Sequence, residues 1–209
     1  MNVEDLVSLA PVIPVVVIED IADAVPLAAA LVRGGLPAIE VTLRTPAAAA
    51  AIERIAAEVP GAVVGAGTVT TARQVAEALG AGARFLVSPG ATPTLLDALQ
   101  ASGVPFLPGT ATASDIVALL ERDISHAKLF PAEVVGGVKA LKAFAGPFPQ
   151  MRFCPTGGVN AANARDYLGQ PNVVCVGGSW MLPNDATASK DWPTVKALAD
   201  TASKLGLRA

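Results

Sequence analysis

About eight short β-rich runs, each followed by an Ala/Leu-rich stretch, predict an α/β protein, a (β/α)8 TIM barrel with a short N-terminal helix. Two further observations agree. Helix boundaries are marked by capping residues, Gly and Pro, and no linker, charge block or low-complexity tract divides the 209 residues. Residues 1–209 are therefore expected to form a single barrel domain.

Taken in order, residues 2–9 form the leading helix and residues 12–18 the first strand. Asp20 is the N-cap expected for the following helix, whose Pro26 marks a delayed start, and Gly34 ends it. The second strand is residues 38–43; Thr45 then caps a helix with Pro46 in its first position, and Ala47 to Ala51 beside Ile52 and Ile55 favour that helix strongly. Further strands are expected at residues 62–65, 84–87, 105–107, 127–130, 152–154 and 173–176, with Gly80 and Gly103 at the ends of intervening helices. Gly65 to Thr68, Ser88-Pro89-Gly90 and Pro108-Gly109-Thr110 read as turns after the third, fourth and fifth strands. Val195, Leu198, Ala199 and Ala202 recur at helical spacing, so residues 191–207 close the ring as the final helix.

Hydrophobic residues make up 52% of the chain and charged residues 16%, against about 25% charged in an ordinary globular protein, so surface must be buried somewhere, a protein partner being one outlet. A net charge of −3 without any run of Lys or Arg excludes nucleic acid as a ligand. The acidic start, Met1-Asn2-Val3-Glu4-Asp5, is unlike a secretory signal, and Pro or Gly breaks each apolar stretch before membrane-spanning length; a cytoplasmic protein with no membrane partner is expected. Cys154 and Cys175 fall in apolar runs without Cys-x-x-Cys spacing, and with one His, His126, they cannot assemble a zinc cluster. They read as reduced core residues, and no metal is expected.

Chemistry concentrates at the carboxyl ends of the strands, where parallel α/β proteins gather reactive groups. In Ile39-Glu40-Val41-Thr42-Leu43-Arg44, polar and apolar residues alternate. With helices covering the outer face, Glu40, Thr42 and Arg44 point into the barrel. Glu40 and Arg44, four residues apart, lie about 13 Å apart along the strand, too far for easy pairing, so Glu40 is the candidate for proton transfer. Lys128 ends a strand just before Pro131, and the same parity turns His126, Lys128 and Phe130 inward towards Glu40. A lysine among apolar neighbours loses charge stabilisation and can attack a carbonyl carbon, which makes Lys128 a candidate Schiff-base nucleophile; otherwise it is a solvated strand-end lysine. His126, one layer deeper, is either a packed or a catalytic histidine. Pro155-Thr156-Gly157-Gly158 and Val176-Gly177-Gly178-Ser179 follow the last two strands, where such barrels place phosphate cradles, although ordinary tight turns would look the same. Thr68 is either a hydroxyl lining the mouth or a helix cap, and Pro89 could contact a ligand.

Four motifs, Ile39-Glu40-Val41-Thr42-Leu43-Arg44-Thr45, Gly65-Ala66-Gly67-Thr68-Val69, Lys128-Leu129-Phe130-Pro131-Ala132-Glu133 and Pro155-Thr156-Gly157-Gly158-Val159, together resemble the 2-keto-3-deoxy-6-phosphogluconate aldolase (KDPG/KHG aldolase) family. The resemblance implies a class I aldolase that cleaves the phosphorylated 2-keto-3-deoxy sugar acid to pyruvate and glyceraldehyde 3-phosphate, and 2-keto-4-hydroxyglutarate to pyruvate and glyoxylate. In it Lys128 forms the imine and Glu40 shuttles protons. Arg44 and Thr68 hold the carboxylate end, Pro89, Phe130 and Thr156 line the pocket, and Gly157, Gly158, Gly178 and Ser179 bind phosphate. It also implies a homotrimer and no cofactor. A phosphosugar isomerase or synthase, or a non-catalytic sugar-phosphate-binding barrel, would share the glycine-rich turns without needing Lys128.

Overall fold

A computed structural model describes residues 1–206, so Leu207 of the expected final helix lies outside the described residues. Helices and strands alternate along the chain. Helix α1 (Val3–Ser8) leads into β1 (Val12–Val16), α2 (Ala24–Arg33), β2 (Ala38–Thr42), α3 (Ala48–Glu58) and β3 (Val63–Gly67). Then come α4 (Ala72–Gly80), β4 (Leu86–Val87), α5 (Pro93–Ala101), β5 (Phe106–Leu107), β6 (Gly109–Thr110), α6 (Ala113–Leu120) and β7 (His126–Leu129). The chain continues through α7 (Gly137–Ala145), β8 (Arg152–Pro155), α8 (Ala164–Leu168), β9 (Val176–Gly178), α9 (Asn184–Ala188) and α10 (Trp192–Ser203). No helix among the described residues is long and apolar enough to cross a membrane.

Every strand pairing is parallel, and six strands form one curled sheet in the order β5-β4-β3-β2-β1-β9. A second sheet has the order β6-β7-β8. The single eight-stranded ladder expected from the sequence is thus interrupted. Pro108 accounts for one interruption: it has no N–H to donate, and it separates β5, the fifth run, which pairs with β4, from β6, which pairs with β7. On the other side, among the described residues, two isolated bridges link the sheets: Phe153 of β8 with Val173, and Thr156 with Gly177 of β9.

Side chains alternate along the strands as the sequence pattern requires. Val12, Val16, Ile39, Val41, Val64, Ala66, Ala127, Leu129 and Phe153 pack in the large cluster with the helices. The opposite parity, Ile13, Ala38, Val63 and Cys154, meets Leu6 and Val7 of α1 with Phe85, Val87, Leu107 and Cys175 in a second, inner cluster. Residues from both sheets share that cluster, so the sheets face one another across it, and α1 closes one end. Both cysteines are buried and free. Removing Ile39 to Ala would cost about 2–5 kcal/mol, since its site is fully buried among packed neighbours.

Several boundaries differ from expectation for identifiable reasons. Asn2 caps α1 in a capping box with Asp5, and Asp20 caps only a short 3₁₀ turn before α2. Thr45 does not cap α3: its hydroxyl donates to the Ile18 carbonyl at 2.6 Å, and the helix starts beyond Pro46 at Ala48. Gly65 to Gly67 is not a turn but the end of β3. Gly109 and Thr110, also expected in a turn, are strand residues opposite Lys128 and Leu129.

Candidate active site

Lys128 on β7 and Glu40 on β2 come from different sheets and meet inside. The Lys128 Nζ lies 3.0 Å from Glu40 Oε1 and 3.4 Å from Oε2, and their side chains are only 5% and 3% exposed. The lysine is not in a wholly apolar surround, as the sequence suggested, but is ion-paired. Removing one member of such a buried pair strands the other charge, a cost of about 3–5 kcal/mol. The Phe130 ring completes the surround, with its centroid 5.3 Å from Nζ.

Glycines on the adjacent strands allow close approaches around this pair. Gly67 stands beside Thr42 in register, and a Cβ there would overlap the Glu40 carboxylate. Gly109 stands opposite Lys128, and a Cβ there would overlap the backbone of Pro89, so the Ser88–Pro89 turn lies directly on the lysine's neighbouring strand. Ser88 is fully buried and its hydroxyl accepts the Gly109 N–H at 3.2 Å. Neither role was visible beforehand, because a glycine's use depends on a neighbour distant in sequence.

Arg44 lies beyond the end of β2, exposed, and its Nε donates to Thr68 Oγ1 at 3.1 Å. Thr68 itself has a positive φ of 58°. It is not a helix cap, since Thr71 caps α4 by accepting the Gln74 N–H. A guanidinium and a hydroxyl at the sheet edge can together receive a carboxylate.

Thr156 is 6% exposed and bridges to Gly177, where a Cβ would overlap its hydroxyl. That bridge sets the Thr156–Gly158 turn beside Gly177 and Gly178, which were expected in a turn but are strand residues of β9 paired with β1. Gly157 and Gly158 have φ values of 95° and 83°, the left-handed region. Among the described residues the N–H groups of Gly158 and Val159 form no hydrogen bond within the chain, which leaves two consecutive donors for an anion. Gly178 packs under the Trp180 ring. Ser179 is exposed and opens on a cavity of about 470 Å³ that it shares with Glu19, Asp20, Asp23 and Trp192.

His126 is 8% exposed and belongs to the end closed by α1, with Nδ1 3.2 Å from Ser125 Oγ and 4.0 Å from Glu4. Burial pushes its pKa below the ordinary value, an effect that Glu4 opposes and Arg152 reinforces. It is a packed histidine. No group of three His, Cys, Asp or Glu side chains among the described residues is placed to hold a metal ion.

A family model described as KDPG and KHG aldolase matches residues 3–198. A 2-dehydro-3-deoxy-phosphogluconate aldolase of Pseudoalteromonas atlantica is 51% identical over 199 residues, 95% of this chain and 93% of that protein. The crystal structure of KDPG aldolase from Legionella pneumophila, with pyruvate captured at low pH as a covalent carbinolamine intermediate, superposes with a TM-score of 0.95 at 45% identity, covering 97% and 98% of the two chains. The 2-keto-3-deoxy-6-phosphogluconate aldolase of Zymomonas mobilis with 3-phosphoglycerate gives 0.93 at 49% identity, covering 98% and 96%.

Proposed function

The chain belongs to the KDPG and KHG aldolase family, and from that premise we propose that Lys128 and Glu40 carry its class I, Schiff-base cleavage of 2-keto-3-deoxy-6-phosphogluconate to pyruvate and glyceraldehyde 3-phosphate. The observation that carries the assignment is the buried contact of 3.0 Å between Lys128 Nζ and Glu40 Oε1. An isomerase, a synthase or a sugar-phosphate-binding barrel would leave that costly pair without a task.

The steps follow from the two groups. Glu40 takes a proton from the Lys128 ammonium, and the freed amine attacks the C2 ketone to give a carbinolamine; Glu40 returns the proton to the carbinolamine hydroxyl, which leaves as water and yields a protonated imine with Glu40 again a carboxylate. The imine cation draws electrons from the C3–C4 bond as Glu40, through a water, removes the C4 hydroxyl proton. Glyceraldehyde 3-phosphate leaves, the enamine is protonated at C3, and water releases pyruvate. Arg44 and Thr68 hold the carboxylate end, and Pro89, Phe130 and Thr156 wall the pocket. Gly157, Gly158, Gly178 and Ser179 take the phosphate, a reading supported by the unpaired amides of the first turn. The acidic neighbours of Ser179 leave most of the anion's stabilisation to backbone N–H groups.

Residues 1–209 form one domain in this reading, and the two sheets form one (β/α)8 barrel. Support comes from the bridges between β8 and β9, from the single proline that separates β5 from β6, and from the unbroken family match. The reading includes a cytoplasmic homotrimer. Exposed Val134 (83%) and Val17 (45%) supply apolar surface for subunit contacts, and two free cysteines suit a reducing compartment.

A coupled assay of pyruvate release tests the substrate directly. Turnover with 2-keto-3-deoxy-6-phosphogluconate is expected, with weaker cleavage of 2-keto-4-hydroxyglutarate, which lacks the phosphate. Faster release from the unphosphorylated acid would contradict the phosphate placement.

A further inference from the structure

The Lys128-to-Glu133 motif ends in a carboxylate that the cleavage chemistry does not use. Glu133 lies behind the Gly157–Gly158 turn. The Ala132 N–H donates to the Thr156 carbonyl at 2.8 Å, and the Glu133 N–H donates to the Gly157 carbonyl at 3.1 Å. Glu133 Oε1 accepts the Tyr167 hydroxyl in a short hydrogen bond and the Asn163 amide at 3.4 Å. The same Asn163 amide donates to the Gly158 carbonyl at 3.1 Å, and Asn160 reaches that carbonyl at 3.2 Å. Tyr167 is 1% exposed, and its hydroxyl is held protonated well above the ordinary phenol range, by burial first and by the bond to Glu133 second.

Within a trans peptide unit the C=O and N–H point in opposite directions. With the Gly157 and Gly158 carbonyls turned towards the Glu133–Asn163 layer, the N–H groups of Gly158 and Val159 must face the other way. These are among the donors left unpaired in the chain. A Cβ on Gly158 would overlap the Glu133 side chain, so the layer and the turn are in direct contact. A carboxylate is a poor direct ligand for phosphate, and its influence has to pass through the turn.

We propose that Glu133 is a positioning residue for the phosphate end of the substrate: clamped by Tyr167 and Asn163, it orients the Gly157–Gly158 turn so that the turn's amides face the site. The inference rests on the phosphate placement proposed above and deepens it. Because Glu133 and Lys128 belong to one continuous segment, the clamp also ties the imine-forming nitrogen to the phosphate cradle. It thereby sets the substrate length the site prefers, favouring a phosphorylated six-carbon keto acid over short keto acids.

Steady-state kinetics with 2-keto-3-deoxy-6-phosphogluconate, alongside exchange of pyruvate methyl protons with deuterated solvent, tests this. In Glu133→Ala and Tyr167→Phe, KM for the phosphorylated substrate should rise about three- to ten-fold while kcat and pyruvate exchange stay within about two-fold, as expected for losing a positioning hydrogen bond. Glu133→Gln, whose side-chain oxygen still accepts from Tyr167 and Asn163, should restore KM. An unchanged KM in Glu133→Ala, or an equal loss of pyruvate exchange, would overturn the proposal. Ser179→Asp separates the two levels. If it raises KM for the phosphorylated substrate alone while Glu133→Ala does nothing, the clamp is wrong and the phosphate site stands; if it affects pyruvate exchange equally, the phosphate site falls and the clamp with it.

Discussion

Glu40 reaches Lys128 because the strand beside it presents a glycine where any other residue would block the carboxylate. The period-two pattern of residues 39–44 turns Glu40 inward, and the parity of residues 126–130 does the same for Lys128, so the convergence of the pair is legible in the sequence. Gly67 was not readable in the same way, since nothing local distinguishes a glycine in a turn from one that clears space for a side chain on the next strand. Two variants follow. Glu40→Gln should retain imine formation with pyruvate but lower kcat for cleavage by about 10²–10⁴, the usual worth of a positioned general base. Gly67→Ala, which displaces the same carboxylate, should lower kcat in the same direction by less. Turnover unchanged in both would remove Glu40 from the mechanism.

Among the elements, eight β-rich runs and their helices were legible because parity and capping are local. What failed were boundaries decided by distant partners. Thr45 gives its hydroxyl to the Ile18 carbonyl rather than to a helix, and Gly109 and Thr110 extend as a strand because β7 lies beside them. The glutamate of the Lys128-to-Glu133 motif could be named but not assigned a task, since its partner Tyr167 lies 34 residues away. The joint between α1 and β7 makes its own prediction. His126, buried there beside Glu4, has a pKa below its ordinary 6.5. Between the two values the unfolded chain binds the proton that the folded chain excludes, so stability falls as pH drops through about 6.5 and below. Thermal unfolding from pH 7.5 to 5.5 should therefore show a smaller fall in midpoint for His126→Gln than for the parent chain. Equal falls would mean that His126 does not contribute.

At the scale of the whole molecule, the parallel order places Glu40 in one sheet and Lys128 in the other, so the site exists only while the two sheets face each other. Low charge was legible as composition, but composition does not say which face a partner covers, and the exposure of Val134 is visible only in the folded chain. The central claim is that the Lys128 nitrogen becomes covalently bound to the keto acid. Incubation with pyruvate and borohydride followed by peptide mapping tests it most directly. A reduced three-carbon adduct on Lys128, absent without pyruvate, is the expected result; no adduct, or an adduct on another lysine, would contradict it.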